Sequence, residues 1–306
     1  MSDRFYKSDG LMVPSGTTVL PRPYLAQWSA NCAVDYIIEA IESVVESFGS
    51  FDIVSLKEAG LFEKARKHFL RESREAADYG TYIHTLCEYS LVANMEIESP
   101  HKLTQDFMSG FWKWVKKHNV KPIAMEHEVL SKWYGGRLDL VCEMDSFWMT
   151  RKWCEKFGVE WYEGINKQRV IVLVDFKTGK GSYYETWKYQ LAGYRQAWNE
   201  ERYKKAEMDG YDNEEDSKSF NWGLFRQRCK ETNIQHHGVL KFNKDTGKVN
   251  YKDFTVWETT RTVQDSPRLT DGSLRTEKYI RTYETDRKTF NDLVSLWWSS
   301  KRGITI

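Results

Sequence analysis

An α/β fold is what this sequence predicts, on three observations. Val170-Ile171-Val172-Leu173-Val174 is a short β-branched apolar run of the kind that forms a buried strand. Ile123 to Leu130 and Gly135 to Val141 are two further strand-like segments close before it. Around them lie stretches whose apolar residues recur at helical spacing, such as Leu25, Trp28, Cys32, Tyr36, Ile37 and Ile41 within Tyr24 to Val45. No repeat, low-complexity tract or clean linker divides the 306 residues, so the chain reads as one elaborated domain, 1–306. Its parts are a helical N-terminal stretch (14–79), a core (80–206) carrying an insertion at 145–169, and a C-terminal hairpin and helix (207–306).

The elements follow in order. Pro14, Pro21 and Pro23 punctuate an extended opening before the first helix. A second helix covers about Leu61 to Asp78, and its Lys64, Arg66, Lys67, Arg71 and Arg74, mixed with acids, read as a solvated face. Gly80 opens a third, through Leu91, with His84 and Glu88 one turn apart on a common face. After a helix at Thr104 to His118, the strand at Ile123 to Leu130 sends Glu126 and Glu128 to one face and His127 to the other. Thr178-Gly179-Lys180-Gly181 turns the chain after the Asp175 strand, and Tyr183 to about Ala206 is a long helix with Gln190 and Tyr194 on one side. A hairpin starts at Gly238 and turns at Asp245-Thr246-Gly247, while Asp209 to Asp216 reads as an acidic loop. Asp286 to Ser299 closes as an amphipathic helix, with Phe290, Leu293, Val294 and Trp297 inward.

Composition narrows the classes. The five cysteines (Cys32, Cys87, Cys142, Cys154, Cys229) are odd in number and form no C-x-x-C pair. That argues against a disulfide framework and against a zinc or iron–sulfur site, and suits a reducing cytosol. The opening Met1-Ser2-Asp3-Arg4-Phe5 carries no apolar signal core, and no segment has the length of apolar chain that spans a bilayer. The balance of 45 basic and 44 acidic side chains does not announce a polyanion partner, so any contact with nucleic acid must come from local patches. Thirteen tryptophans and 17 tyrosines serve equally as core or as base-stacking surface.

The chemistry concentrates at two strands. In Asp175-Phe176-Lys177 the acid and the lysine share a face and the ring points opposite. In Leu138-Asp139-Leu140 a lone acid sits among apolar neighbours and needs a partner or a metal. Two acids and a lysine at adjacent strand ends suit a hard cation; equally, they are strand-end acids with one salt bridge. His84, taken alone, is an ordinary core or surface histidine, and Glu126 and Glu128 are ordinary strand acids.

The order of these pieces resembles a known family. Gly80-Thr81-Tyr82-Ile83-His84, then Glu126, then Gly136-Arg137-Leu138-Asp139, then Asp175-Phe176-Lys177-Thr178, then Gln190-Leu191-Ala192-Gly193-Tyr194 is similar to the RecB-type branch of the PD-(D/E)XK nuclease superfamily. That branch carries a helix histidine, an acid on the second core strand, a D-x-K on the third and a Q-x-x-x-Y on the following helix. The opening Val13 to Leu20 and Leu25-Ala26-Gln27-Trp28 also looks like the start of phage-encoded exonucleases of this branch. The resemblance covers roughly residues 14 to 200. In three respects the chain departs from it: the proline of the family name is Leu138, the interval from Asp139 to Asp175 is long, and the four-cysteine iron–sulfur set of some relatives is absent.

The resemblance implies a three-layer α/β/α core with a mixed sheet, and metal-dependent hydrolysis of DNA. The activity it implies is that of an exonuclease on single strands or duplex ends, in replication, recombination or repair, in the cytoplasm of a bacterium or phage-infected host. A structure-specific endonuclease, or a silent DNA-binding scaffold on the same fold, is the alternative. Asp139, Asp175, the Phe176 carbonyl and His84 would hold Mg2+ or Mn2+, with no iron–sulfur cluster. Lys177 would orient the attacking water as a donor, Glu126 would take a second ion or a metal water, and Gln190 and Tyr194 would position the phosphate or the lysine. In the insertion, cations and flat rings alternate. Arg151, Lys152 and Trp153, with Lys180 beyond the D-x-K strand, suit a single strand of DNA, though such rings serve as packing too.

Overall fold

The computed structural model describes residues 4–8, 10–21, 24–50, 52–146, 168–180, 185–210, 232–254, 256–262 and 276–301. These form an α/β protein that divides into two compact units, residues 21–86 and residues 1–20 with 87–306.

The smaller unit is helical. Helix α1 (Tyr24–Phe48) covers the stretch expected to be helical from Tyr24 to Val45, and α2 (Ile53–Glu58) is an unanticipated short helix. The start of α2 is set by Asp52, whose carboxylate accepts from the Ser55 amide at 2.9 Å, satisfying an amide that has no partner inside the helix. Helix α3 (Leu61–Ala93) runs unbroken through Gly80, where two helices were expected. A lone glycine costs a helix interior about 1 kcal/mol, and no proline adjoins Gly80 to stop the helix. Within this unit the Tyr36 and His68 rings lie 4.7 Å apart, joining α1 to α3.

The larger unit opens with a hairpin of β1 (Phe5–Ser8) and β2 (Leu11–Pro14) in the stretch expected only to be extended. Then come α4 (Lys102–Lys117), β3 (Lys121–Leu130), β4 (Gly135–Ser146), β5 (Gln168–Gly179), α5 (Glu185–Gly210), β6 (His236–Asn243) and β7 (Val249–Asp253). A separate antiparallel pair, β8 (Val256–Thr262) with β9 (Thr276–Thr282), precedes α6 (Tyr283–Lys301). The main sheet has the order β3-β4-β5-β6-β7. Its neighbours are antiparallel except β5 and β6, which are parallel, and parallel neighbours need a long crossover. Helix α5 lies in that connection. The β6–β7 turn is where the sequence places it. Asn243 Oδ1 accepts from the Asp245 amide at 2.9 Å, and Gly247 takes the left-handed φ of +67° that closes the turn.

Helices cover both faces of this sheet. Phe176 of β5 and Phe242 of β6 meet Phe111 and Phe107 of α4, with ring centroids 5.9 and 5.5 Å apart respectively. On the opposite face Leu173 and Val239 join Leu191, Tyr194 and Trp198 of α5 and Phe290 and Val294 of α6 in one apolar core. Leu293 and Trp297 pack against that core, so the four residues read as inward on the last helix all turn toward it. Among the described residues no helix is long and apolar enough to cross a membrane.

One boundary is corrected. Strands β4 and β5 pair as far as Asp145↔Arg169 and Ser146↔Gln168, so both ends of the expected insertion belong to the sheet. Arg169 ties them, with Nε 2.8 Å from Glu143 and Nη1 3.6 Å from Asp145. Residues 147–167, including Arg151, Lys152 and Trp153, lie outside the described residues, as do residues 211–216 of the acidic stretch.

Candidate active site

The site begins with a break in strand regularity. Glu126 has φ +46°, a left-handed conformation that costs a residue with a Cβ about 1–2 kcal/mol. Pairing steps from Met125↔Leu140 to His127↔Leu138, which sets Glu126 opposite Asp139. In a regular strand, residues an odd number apart face opposite sides. Yet Ala124 and Val129 both pack on the α5 side, and so do Leu138 and Val141. The alternation therefore fails on both strands at the two acids. A carboxylate oxygen of Glu126 and one of Asp139 lie within 4.8 Å of each other. Arg137 offsets part of this charge, reaching Glu126 at 3.9 Å and Glu128 at 2.9 Å.

On its other side β4 leaves β5. Their pairing ends at Leu140↔Val174, while β5 goes on pairing with β6 as far as Gly179. At the fork the Phe176 amide donates to Asp139 Oδ2 at 2.6 Å, so an acid side chain stands where a ladder partner would be. The Phe176 ring points away under α4, as expected, and its main chain stays with the acids.

Asp175 is buried, with 4% of its surface exposed. Lys177 Nζ lies 2.6 Å from its Oδ2, and Gln190 Nε2 donates to its Oδ1 at 3.4 Å. Burial alone would lower the pKa of the Lys177 ammonium. The attraction of Asp175 and then Asp139, with the hydrogen bond to Asp175, outweighs it and holds the ammonium above its ordinary value. Lys177 is therefore a charged donor at neutral pH rather than a base.

Tyr194 stands one turn beyond Gln190 on α5. Burial first, then the Asp175 charge, pushes its hydroxyl far up, and a hydrogen bond with Gln190 pulls the other way. The ring fits only because two positions lack a Cβ. A Cβ on Gly136 would lie 2.2 Å from the Tyr194 ring, and one on Gly16 would lie 2.8 Å from it. Sequence reading missed both roles; the signal for one was the Gly135-Gly136 doublet opening a strand. Gly135 accommodates Tyr6 in the same way, with ring atoms 2.6 Å from where its Cβ would stand.

The structure thus brings together Glu126, Asp139, Asp175, Lys177, Gln190, Tyr194 and the Phe176 main chain. His84 lies on the part of α3 within the 21–86 unit. Cys87, three residues on and in the larger unit, is buried, and its thiol is raised by that burial and then by the Asp139 charge. Lys180 is exposed just past the end of β5. The donor set of the cluster is carboxylate oxygen beside one ammonium, which suits a hard divalent cation better than a soft one. No protein-family model and no curated protein matches this chain.

Proposed function

We propose that the protein is a metal-dependent DNA nuclease with a PD-(D/E)XK-type three-layer core, acting as an exonuclease on single strands or duplex ends. One observation carries this reading: Asp139, Asp175 and Lys177 converge where β4 and β5 part, with Lys177 Nζ 2.6 Å from Asp175 and the Phe176 amide 2.6 Å from Asp139. The acid lies on the second strand of the β3-β4-β5 meander, the D-x-K on the third and the Gln190–Tyr194 pair on the next helix, the order the resemblance calls for. Asp139, Asp175 and the Phe176 carbonyl would hold Mg2+ or Mn2+, with Glu126 for a second ion or a metal water. Such an ion, when bound, offsets charge on the scissile phosphate and lowers the pKa of a water. Lys177, held protonated, orients the attacking water and stabilises developing charge. Gln190 fixes the Asp175 rotamer, and Tyr194 fixes Gln190. Arg151, Lys152 and Trp153 are proposed to guide the strand.

The test compares linear and circular single-stranded DNA with Mn2+ and with Mg2+, using wild type and Asp175→Ala. Loss of the linear form alone, abolished by chelation and by the substitution, is expected. Cut circles would move the reading to an endonuclease; no cleavage by a folded, DNA-binding protein would leave a scaffold.

A further inference from the structure

Where β5 and β6 end, lysines gather. In their parallel register Lys177 stands beside Lys241, and Gly179 beside Asn243. Lys241 follows by two residues Val239, which packs on the α5 side, so it faces the same side as Asp175 and Lys177. It is a lysine with only 4% of its surface exposed. The Lys244 amide donates to the Gly179 carbonyl at 3.1 Å, drawing the β6–β7 turn against the end of β5, next to Lys180. Burial lowers the Lys241 ammonium, and Asp245 partly opposes it. Burial and then the Lys180 charge lower that of Lys244. Lys180 and Lys244 are thus like charges close enough to act on each other, and Lys241 stands in register beside Lys177, on a molecule whose net charge is only +1, at the carboxyl ends of parallel strands, where open α/β sheets receive ligands.

We infer that Lys241, Lys244 and Lys180 form a phosphate site that holds the nucleic-acid backbone beside the point of cleavage. The Lys241 row lies two residues, about 6.5 Å, beyond the Asp175 row. That is within two nucleotide steps of a duplex strand, at about 3.4 Å each. The site rests on the nuclease reading for its partner, and it adds a register: cutting occurs at a fixed distance from a phosphate gripped by Lys241.

Fluorescence anisotropy with a single-stranded oligonucleotide in EDTA, over a series of salt concentrations, tests this without turnover. Lys241→Ala is expected to weaken binding five- to tenfold and to reduce the slope of log affinity against log salt by about 0.7. Lys241→Arg keeps both near wild type. Lys244→Ala, on the turn and outside the core, gives the same loss even if Lys241→Ala folds poorly. Unchanged affinity and slope in a folded Lys241→Ala or in Lys244→Ala would overturn the site. Lysine-dependent binding by a wild-type protein that cleaves nothing would sink the nuclease reading alone.

Discussion

Lys177 shows how one side chain ties stability to chemistry. Its folded-state pKa is raised by Asp175 and Asp139 against the pull of burial, so its contribution is fully present below the unfolded value of about 10.4 and is lost as pH rises through the folded value. Lys177→Met leaves Asp175 without its nearest cation. Its side chain is 23% exposed, so the cost stays below the ~3–5 kcal/mol of a fully buried broken pair, at about 2 kcal/mol. Urea unfolding at pH 7 and at pH 11 checks the sign: the gap between wild type and variant should narrow at the higher pH. A gap that widens there would mean the lysine is not held by the acids. The same substitution should cut cleavage at least ~100-fold, the usual loss of a charged donor at the reacting centre. This residue was legible because D-x-K closes a β-branched run, where period two alone brings acid and lysine together. Lys241 was not legible, because a lysine in Gly238-Val239-Leu240-Lys241-Phe242 reads as one more alternation, and only the parallel register sets it beside Lys177.

At the level of elements, the β3–β4 pair decides where the acids stand. Period two places Glu126 and Glu128 on one face, but the alternation breaks at Glu126, and it is Arg137 that reaches both acids. The left-handed turn of the backbone at Glu126 has no sequence signature, since left-handed residues announce themselves only when they are glycine or asparagine. Strain at a non-glycine residue persists where the surroundings over-determine it, and such residues cluster at functional sites. Glu126→Gly is therefore expected to raise stability by up to about 1 kcal/mol through relief of φ +46°, less glycine's entropy cost, while cleavage falls at least ~10-fold. Thermal unfolding beside a turnover assay reads both. A less stable variant would show that the Glu126 side chain, rather than its neighbours, holds that backbone. Helix α3 teaches the complementary lesson: Gly80 was read as a start signal, yet a glycine without a cap or a proline is only a weak point in a continuous helix.

For the molecule as a whole, 45 basic against 44 acidic side chains leave almost no long-range field, so affinity for a polyanion must come from a countable set of contacts. Each phosphate neutralised on a single strand contributes about −0.7 to the slope of log affinity against log salt. Lys180, Lys241 and Lys244 alone would give about −2, and adding Arg151 and Lys152 of the insertion brings the value to about −3.5. The expected wild-type slope is the larger one. Replacing Arg151 and Lys152 together by alanine should return it to about −2, with the Lys241-dependent part intact. Composition could show only that patches were needed; register supplied one of them, and the slope counts whether the insertion supplies the other. A wild-type slope already near −2, unmoved by the double replacement, would confine DNA contact to the strand ends of the sheet and make the insertion's rings packing, because a cation that displaces no counterion leaves no mark on the salt dependence.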